Sequence, residues 1–125
     1  MSDRPILIPN DNHRITIERS KRRVIVKAEG IMIADSTRAL MLSETNHSKV
    51  FYIPRADIDA SLLARSDHST YCPYKGDASY FSIPAAGERG VNAIWSYENP
   101  FLAAAEVKDH LAFYADRVDV IEVDD

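Results

Sequence analysis

Side chains able to attack, donate, accept or stack concentrate in fourteen residues, Asp67 to Tyr80 (DHSTYCPYKGDASY). They hold the only cysteine, Cys72, one of four histidines, His68, a lysine before a glycine, Lys75-Gly76, and three of the six tyrosines, Tyr71, Tyr74 and Tyr80. A cysteine attacks as its thiolate, and a neighbouring imidazole or ammonium favours that form. His68 and Lys75 lie within four residues of Cys72, so Cys72 and His68 are the candidate nucleophile and base, with Tyr71 and Tyr74 beside them to orient a substrate. Pro73 removes one backbone N–H that an oxyanion hole would use. The plainer reading of Cys72 is a small buried hydrophobe, since free cysteine is among the most buried residue types.

Other chemistries find less in the chain. His13, His47, His68 and His110 fall at no metal-ligand spacing, and HxxxH, HExxH and CxxC are all missing, so no structural zinc is expected and no cofactor is specified. Lys75-Gly76 lacks the upstream glycine of a phosphate loop, and there is no GxGxxG; Lys75 remains a point charge suited to an anionic ligand. Asp57 and Asp59, two apart, share a face if their segment is extended and would then suit a divalent cation; capping a helical turn is the simpler use.

Aromatic residues crowd the second half: Tyr71, Tyr74, Tyr80, Phe81, Trp95 and Tyr97. On a strand, Trp95 and Tyr97 share one face with Ala93, opposite Asn92 and Ser96. An aromatic face beside a polar loop makes a concave, mostly apolar pocket with a few polar groups, the usual form of a small-ligand site. The expected ligand-binding set is Tyr80, Trp95 and Tyr97 as the wall and Arg38, His68, Cys72, Tyr74 and Lys75 at the rim. Core packing is the competing use of Trp95 and Phe81.

These residues need a scaffold, and hydrophobicity of period two supplies one. Ile15 and Ile17 share a face, as do Val24 and Val26, with charged residues between them. Ser20-Lys21 is expected to close a first hairpin and Glu29-Gly30 a second. Strands follow over 31–35, 38–42 and 50–53, then either a helical turn or an edge segment carrying Ile58, Leu62 and Leu63. The polar stretch 67–77 reads as a loop. Residues 78–83 and 91–97 read as a hairpin across 84–90. A short helix is expected over 101–108, with Asn99 as its N-cap. Residues 111–114 and 118–123 then form a last hairpin, unless the helix continues to Tyr114.

The fold class is therefore mainly β, α+β at most: about nine short, mostly antiparallel strands in two sheets or one curled sheet, with one or two short helices. Residues 1–12, broken by Pro5 and Pro9, read as a flexible arm, and 13–125 as a single domain of ordinary composition, 46% hydrophobic and 27% charged. The net charge of −4 argues against nucleic acid, and the basic run 19–23 suits a solvated turn. One cysteine rules out an internal disulfide, no apolar run approaches a membrane span, and Ile6-Leu7-Ile8 is too short for a signal peptide. The expectation is a cytoplasmic protein whose partner is a small molecule rather than nucleic acid or membrane, with a homo-oligomer left open.

The chain resembles the domain-of-unknown-function 427 family, also labelled nucleotidyltransferase-like. The strings that carry the resemblance are Ala34-Asp35-Ser36, Tyr52-Ile53-Pro54-Arg55, Asp67-His68, Cys72-Pro73 with Lys75-Gly76 and Tyr80, Trp95-Ser96-Tyr97 before Pro100, and Ala112-Phe113-Tyr114 with Asp116-Arg117-Val118. They cover roughly residues 13 to 123. The resemblance implies a mainly β domain and no established activity. Nucleotidyl transfer uses two or three carboxylates to hold metal ions, normally beside a Gly-Ser pair; no Gly-Ser dipeptide occurs, and Asp57-Ile58-Asp59 is the only close pair of that form. Three uses of the aromatic region remain: a small-ligand pocket, an enzyme built on Cys72 or His68, and a flat protein-binding face.

Overall fold

Residues 15–44 form one long, bent β-ribbon in the computed structural model, which describes residues 4–123. Strand β1 (Ile15–Arg19) pairs with β4 (Leu40–Glu44), and β2 (Arg23–Ala28) pairs with β3 (Ile31–Ser36), both antiparallel. The ribbon turns at Glu29-Gly30, where both residues have positive φ (51° and 77°), as a tight hairpin turn demands. At its bend the register slips, because Ser20 to Arg23 oppose only Thr37 to Ala39. Ser20 N–H still donates to the Ala39 carbonyl at 2.8 Å, and the Ser20 hydroxyl holds the kink through Arg22.

Ser20-Lys21 is thus a bulged corner and not a hairpin turn, which corrects the reading from sequence. Its physical reason is burial: the bend lets each half of the ribbon cover a different part of the core. Val24, Val26, Ala28 and Ile33 enter one cluster with Ile53, Ile83, Ile94 and Leu111. Ile15, Ile17, Leu40 and Leu42 enter a second with Tyr52, Tyr80, Tyr97 and Val107.

The remaining strands are β5 (Val50–Tyr52), β6 (Ala64–Cys72), β7 (Gly76–Ser82), β8 (Ile94–Ser96), β9 (Ala112–Phe113) and β10 (Asp119–Val123). They complete three antiparallel sheets in the orders β1-β4-β5, β10-β2-β3 and β6-β7-β8-β9. Reciprocal backbone bonds between Ile53 and Leu111 (2.8 and 2.9 Å) join the first sheet to the third, and a bridge from Ala34 to Ile58 ties β3 to the segment after β5. The architecture is mainly β, as the period-two pattern predicts. Helical content is limited to four short 3-10 segments, Arg55–Asp57, Ala60–Leu62, Pro84–Gly90 and Leu102–Val107; no α-helix occurs among the described residues. Among the described residues no helix is long and apolar enough to cross a membrane.

Three further expectations change. The stretch 67–77 belongs to the long β6–β7 hairpin, with only Pro73 to Lys75 left as its turn. The strands after residue 110 do not pair with each other: β9 adds to β8, whereas β10 crosses to β2. The 101–108 segment is 3-10 and carries no side-chain cap, so Asn99 does not cap it. Asp59 does cap the Ala60–Leu62 turn, accepting from Ser61 N–H at 3.1 Å. Residues 4–12 lie along the β6–β7 turn, where Leu7 N–H donates to the Pro73 carbonyl (3.0 Å) and Tyr71 Oη to the Pro5 carbonyl (2.6 Å).

Candidate functional site

The inward faces of β4, β5, β7 and β8 converge on a cavity of about 350 Å³. Alternation along each strand supplies its walls: Leu42 and Glu44 from β4, Val50 and Tyr52 from β5, Tyr80 from β7, and Trp95 and then Tyr97 from β8 and the residue after it. Tyr114, just past β9, closes one side, and His47 and Ser48 from the β4–β5 loop sit at the mouth. Lys75 reaches in from the β6–β7 turn, whose backbone is fixed by Lys75 N–H on the Cys72 carbonyl and Phe101 N–H on the Lys75 carbonyl. Gly76, with φ +110°, allows that turn to pack against the backbone of Asn99 to Phe101.

One end of the cavity is ionic. Glu44 is buried, its side chain 6% exposed, yet it accepts from Lys75 Nζ at 2.6 Å and bonds His13 Nε2 at 2.7 Å. Burial pushes the Glu44 carboxyl up, but the bonds from Lys75 and His13 outweigh it and hold the group below the usual glutamate range. His13 in turn stacks flat on Tyr74, centroids 4.0 Å apart, and meets His47 edge-on at 6.3 Å. Lys75 spends its charge on Glu44, with Tyr97's ring 5.8 Å from Nζ.

The other end is aromatic and hydroxyl-lined. Trp95 Nε1 donates to Tyr52 Oη at 3.2 Å, which leaves the Tyr52 proton free to be given elsewhere. The Tyr97 hydroxyl meets no hydrogen-bonding partner among the described residues. It is also not sealed, since Asn92 Oδ1 is the one fully buried, unpartnered side-chain polar atom found among them. Burial pushes the Tyr52 and Tyr97 phenols well above their ordinary pKa, so both are neutral donors at any physiological pH. Tyr80 Oη bonds Thr70 Oγ1 (3.0 Å) and Tyr114 Oη (3.2 Å), and the Tyr114 phenol is pushed up to about 12 by burial and by that bond.

Of the residues expected at the site, Lys75, Tyr80, Trp95 and Tyr97 line this cavity together. The other four are elsewhere. Arg38 pairs with Asp57 (2.8 Å) at the bend of the ribbon, between β3 and β4, and does not line the cavity. Tyr74 backs His13 and faces an apolar groove with Ile6 and Phe101. His68 lies edge-on to Tyr80 (4.5 Å), on the other side of the Tyr80 and Tyr114 walls, in a polar cavity with Asn92, Asp116 and Arg117. Cys72 packs half-buried against the second core cluster.

A Cys72–His68 pair required a folded-back loop. In an extended strand four residues span roughly 13 Å, so β6 holds the thiol and the imidazole apart. The aspartate pair is also committed: Asp57 is held by Arg38 and by the Ser36 hydroxyl (2.7 Å), and Asp59 by its cap.

Glu44, His13, His47, Tyr52 and Tyr114 went unrecognised in the sequence. Glu44 had a legible signal, because it continues the inward positions Leu40 and Leu42 of β4 and so places a carboxylate on a buried face. The histidines carried none, since 31 residues separate His13 from the carboxylate it bonds.

Comparison with known families decides the kinship. The model of a domain of unknown function, DUF427, matches residues 16–124. The chain belongs to the DUF427 family. No curated protein matches it. Within this DUF427 chain, the strings that carry the resemblance supply Tyr52, Lys75, Tyr80, Trp95, Tyr97 and Tyr114, six of the residues around the one cavity.

Proposed function

We propose that this DUF427 protein binds a small, uncharged, planar molecule in the tyrosine- and tryptophan-walled cavity, without covalent chemistry at Cys72. The observation that carries the reading is the Tyr97 hydroxyl: a neutral donor, unpartnered among the described residues, in a cavity that it lines together with Tyr52, Tyr80, Trp95 and Tyr114. The hydroxyl opens onto the cavity and is not sealed, so a ligand acceptor there exchanges with solvent for a net gain of about 1 kcal/mol. The volume, about 350 Å³, suits a small bicyclic molecule.

Charge selects against anions. The one ammonium lining the cavity is 2.6 Å from a buried carboxylate, so an anionic ligand would meet Glu44 as closely as Lys75. Concavity distinguishes this use from a flat protein-binding face, because the aromatic rings point into a hollow.

Thermal shift with a panel of nucleotides, sugar phosphates and neutral planar heterocycles tests the proposal. A neutral heterocycle at 100 times its Kd raises stability by roughly 2.7 kcal/mol. Stabilisation by the phosphorylated compounds alone would replace this reading with an anion site.

A further inference from the structure

A second cleft of about 350 Å³ opens beside Trp95, walled by Val26, Phe51, Ile53, Phe113, Ala115 and Val120. It lies where the sheet order ends: β10 and β2 belong to one sheet, β5 and β9 to the other two, and no backbone ladder joins them across this seam among the described residues. Side chains alone cover it. Ser48, Val50, Trp95 and Tyr114 line both this cleft and the tyrosine cavity. The Trp95 and Tyr114 rings, 4.5 Å apart and tilted by 45°, form the partition between the two.

The two hollows differ in chemistry. One offers phenol donors and an ionic end, whereas the other offers mainly aliphatic and phenyl surface, with Lys49 and Ser48 at its edge. We propose that they form one bipartite site for an amphipathic ligand. Its planar, acceptor-bearing head meets the Tyr52 and Tyr97 hydroxyls, and its apolar chain crosses beside the Trp95–Tyr114 partition, along Ser48 and Val50, into the seam. This rests on the ligand-binding reading above and specifies the ligand class. Each methylene buried in the seam raises affinity about fourfold, so a chain of several carbons dominates the binding of such a molecule.

Titration of Trp95 fluorescence with three probes tests it: 4-quinolone, 2-heptyl-4-quinolone and, at pH 8, 4-quinolone-3-carboxylate. Trp95 is the only tryptophan, so the signal is local. The heptyl probe is expected to bind at least tenfold more tightly than 4-quinolone, and the carboxylate more weakly than either. Val120→Asp, at a position 37% exposed on β10, is expected to abolish the heptyl advantage and leave 4-quinolone affinity unchanged. Ala115→Asp, on an exposed turn, serves as an independent second variant. Equal affinity of the two neutral probes, or a heptyl advantage that survives both variants, overturns the bipartite site while the head pocket stands. A flat Trp95 signal with both neutral probes overturns the pocket itself.

Discussion

Lys75 Nζ lies 2.6 Å from Glu44 Oε1, and both side chains are largely buried, 13% and 6% exposed. The pair joins the β6–β7 turn to the end of β4 and forms the floor of the cavity's ionic end. Removing one member of a buried pair leaves the other uncompensated. Lys75→Met is therefore expected to lower unfolding free energy by about 3 kcal/mol, more than Glu44→Gln, whose amide still reaches both partners. Urea denaturation of the two variants measures the difference; equal, small losses would show that the pair is solvated.

Acid stability follows from the same kind of contact at a second place. Glu98 accepts from Arg65 (2.6 Å) and from the Ser79 hydroxyl (2.6 Å), and these bonds hold its carboxyl down at about 2 against an ordinary value of 4.5. A pKa lowered by folding contributes stability that is present above 4.5 and is lost as pH falls toward 2. Glu98→Gln is expected to lower the urea midpoint at pH 7 and to flatten its fall between those pH values, so that the variant and the natural chain converge near pH 2. An unchanged slope would mean that other carboxylates set the acid limb.

Gly90 tests packing without chemistry. A Cβ at this position would stand 2.1 Å from the Ile83 carbonyl oxygen, and the two residues are already held together by Ile83 N–H donating to the Gly90 carbonyl at 2.9 Å. Gly90→Ala is expected to destabilise by about 2 kcal/mol or more, read as a lowered Tm. Full stability would show that the segment relaxes freely.

How far the sequence reached can be judged from particular residues. Alternation at Val24, Val26 and Ile33 reports a strand face, because burial repeats every second residue whatever the partner strand. The partner is another matter. Ser20-Lys21 has the local look of a turn, yet the β1–β4 pairing across 25 residues decides that it is a bend. Likewise β9 and β10 are recognisable as strands, but their neighbours, β8 and β2, lie far away in the chain and no local pattern names them. The aromatic wall of Tyr80, Trp95 and Tyr97 was legible for the same reason as the strands. His68 and Cys72 were misjudged because a loop lets neighbours in sequence meet and a strand keeps them apart. The chemistry-rich window thus contributes one lysine and one tyrosine to the cavity, and the rest of that site comes from distant strands.

Cys72 follows from its burial. Its side chain packs against the cluster of Leu42, Tyr52 and Tyr97. Native protein at pH 7.5 is expected to react with iodoacetamide more slowly than free cysteine, and unfolded protein at the free rate. Cys72→Ala is expected to keep 4-quinolone binding intact. Faster-than-free alkylation would restore the nucleophile reading.

The pocket itself depends on the Tyr97 hydroxyl being the group a ligand finds. The decisive measurement is a Trp95 fluorescence titration with 4-quinolone, made on the natural chain and on Tyr97→Phe. A lost hydrogen bond to a neutral donor corresponds to about 1 kcal/mol, so saturable binding is expected in the natural chain with Kd raised about fivefold in the variant. Identical curves for the two proteins, or no saturable signal in either, would contradict the site.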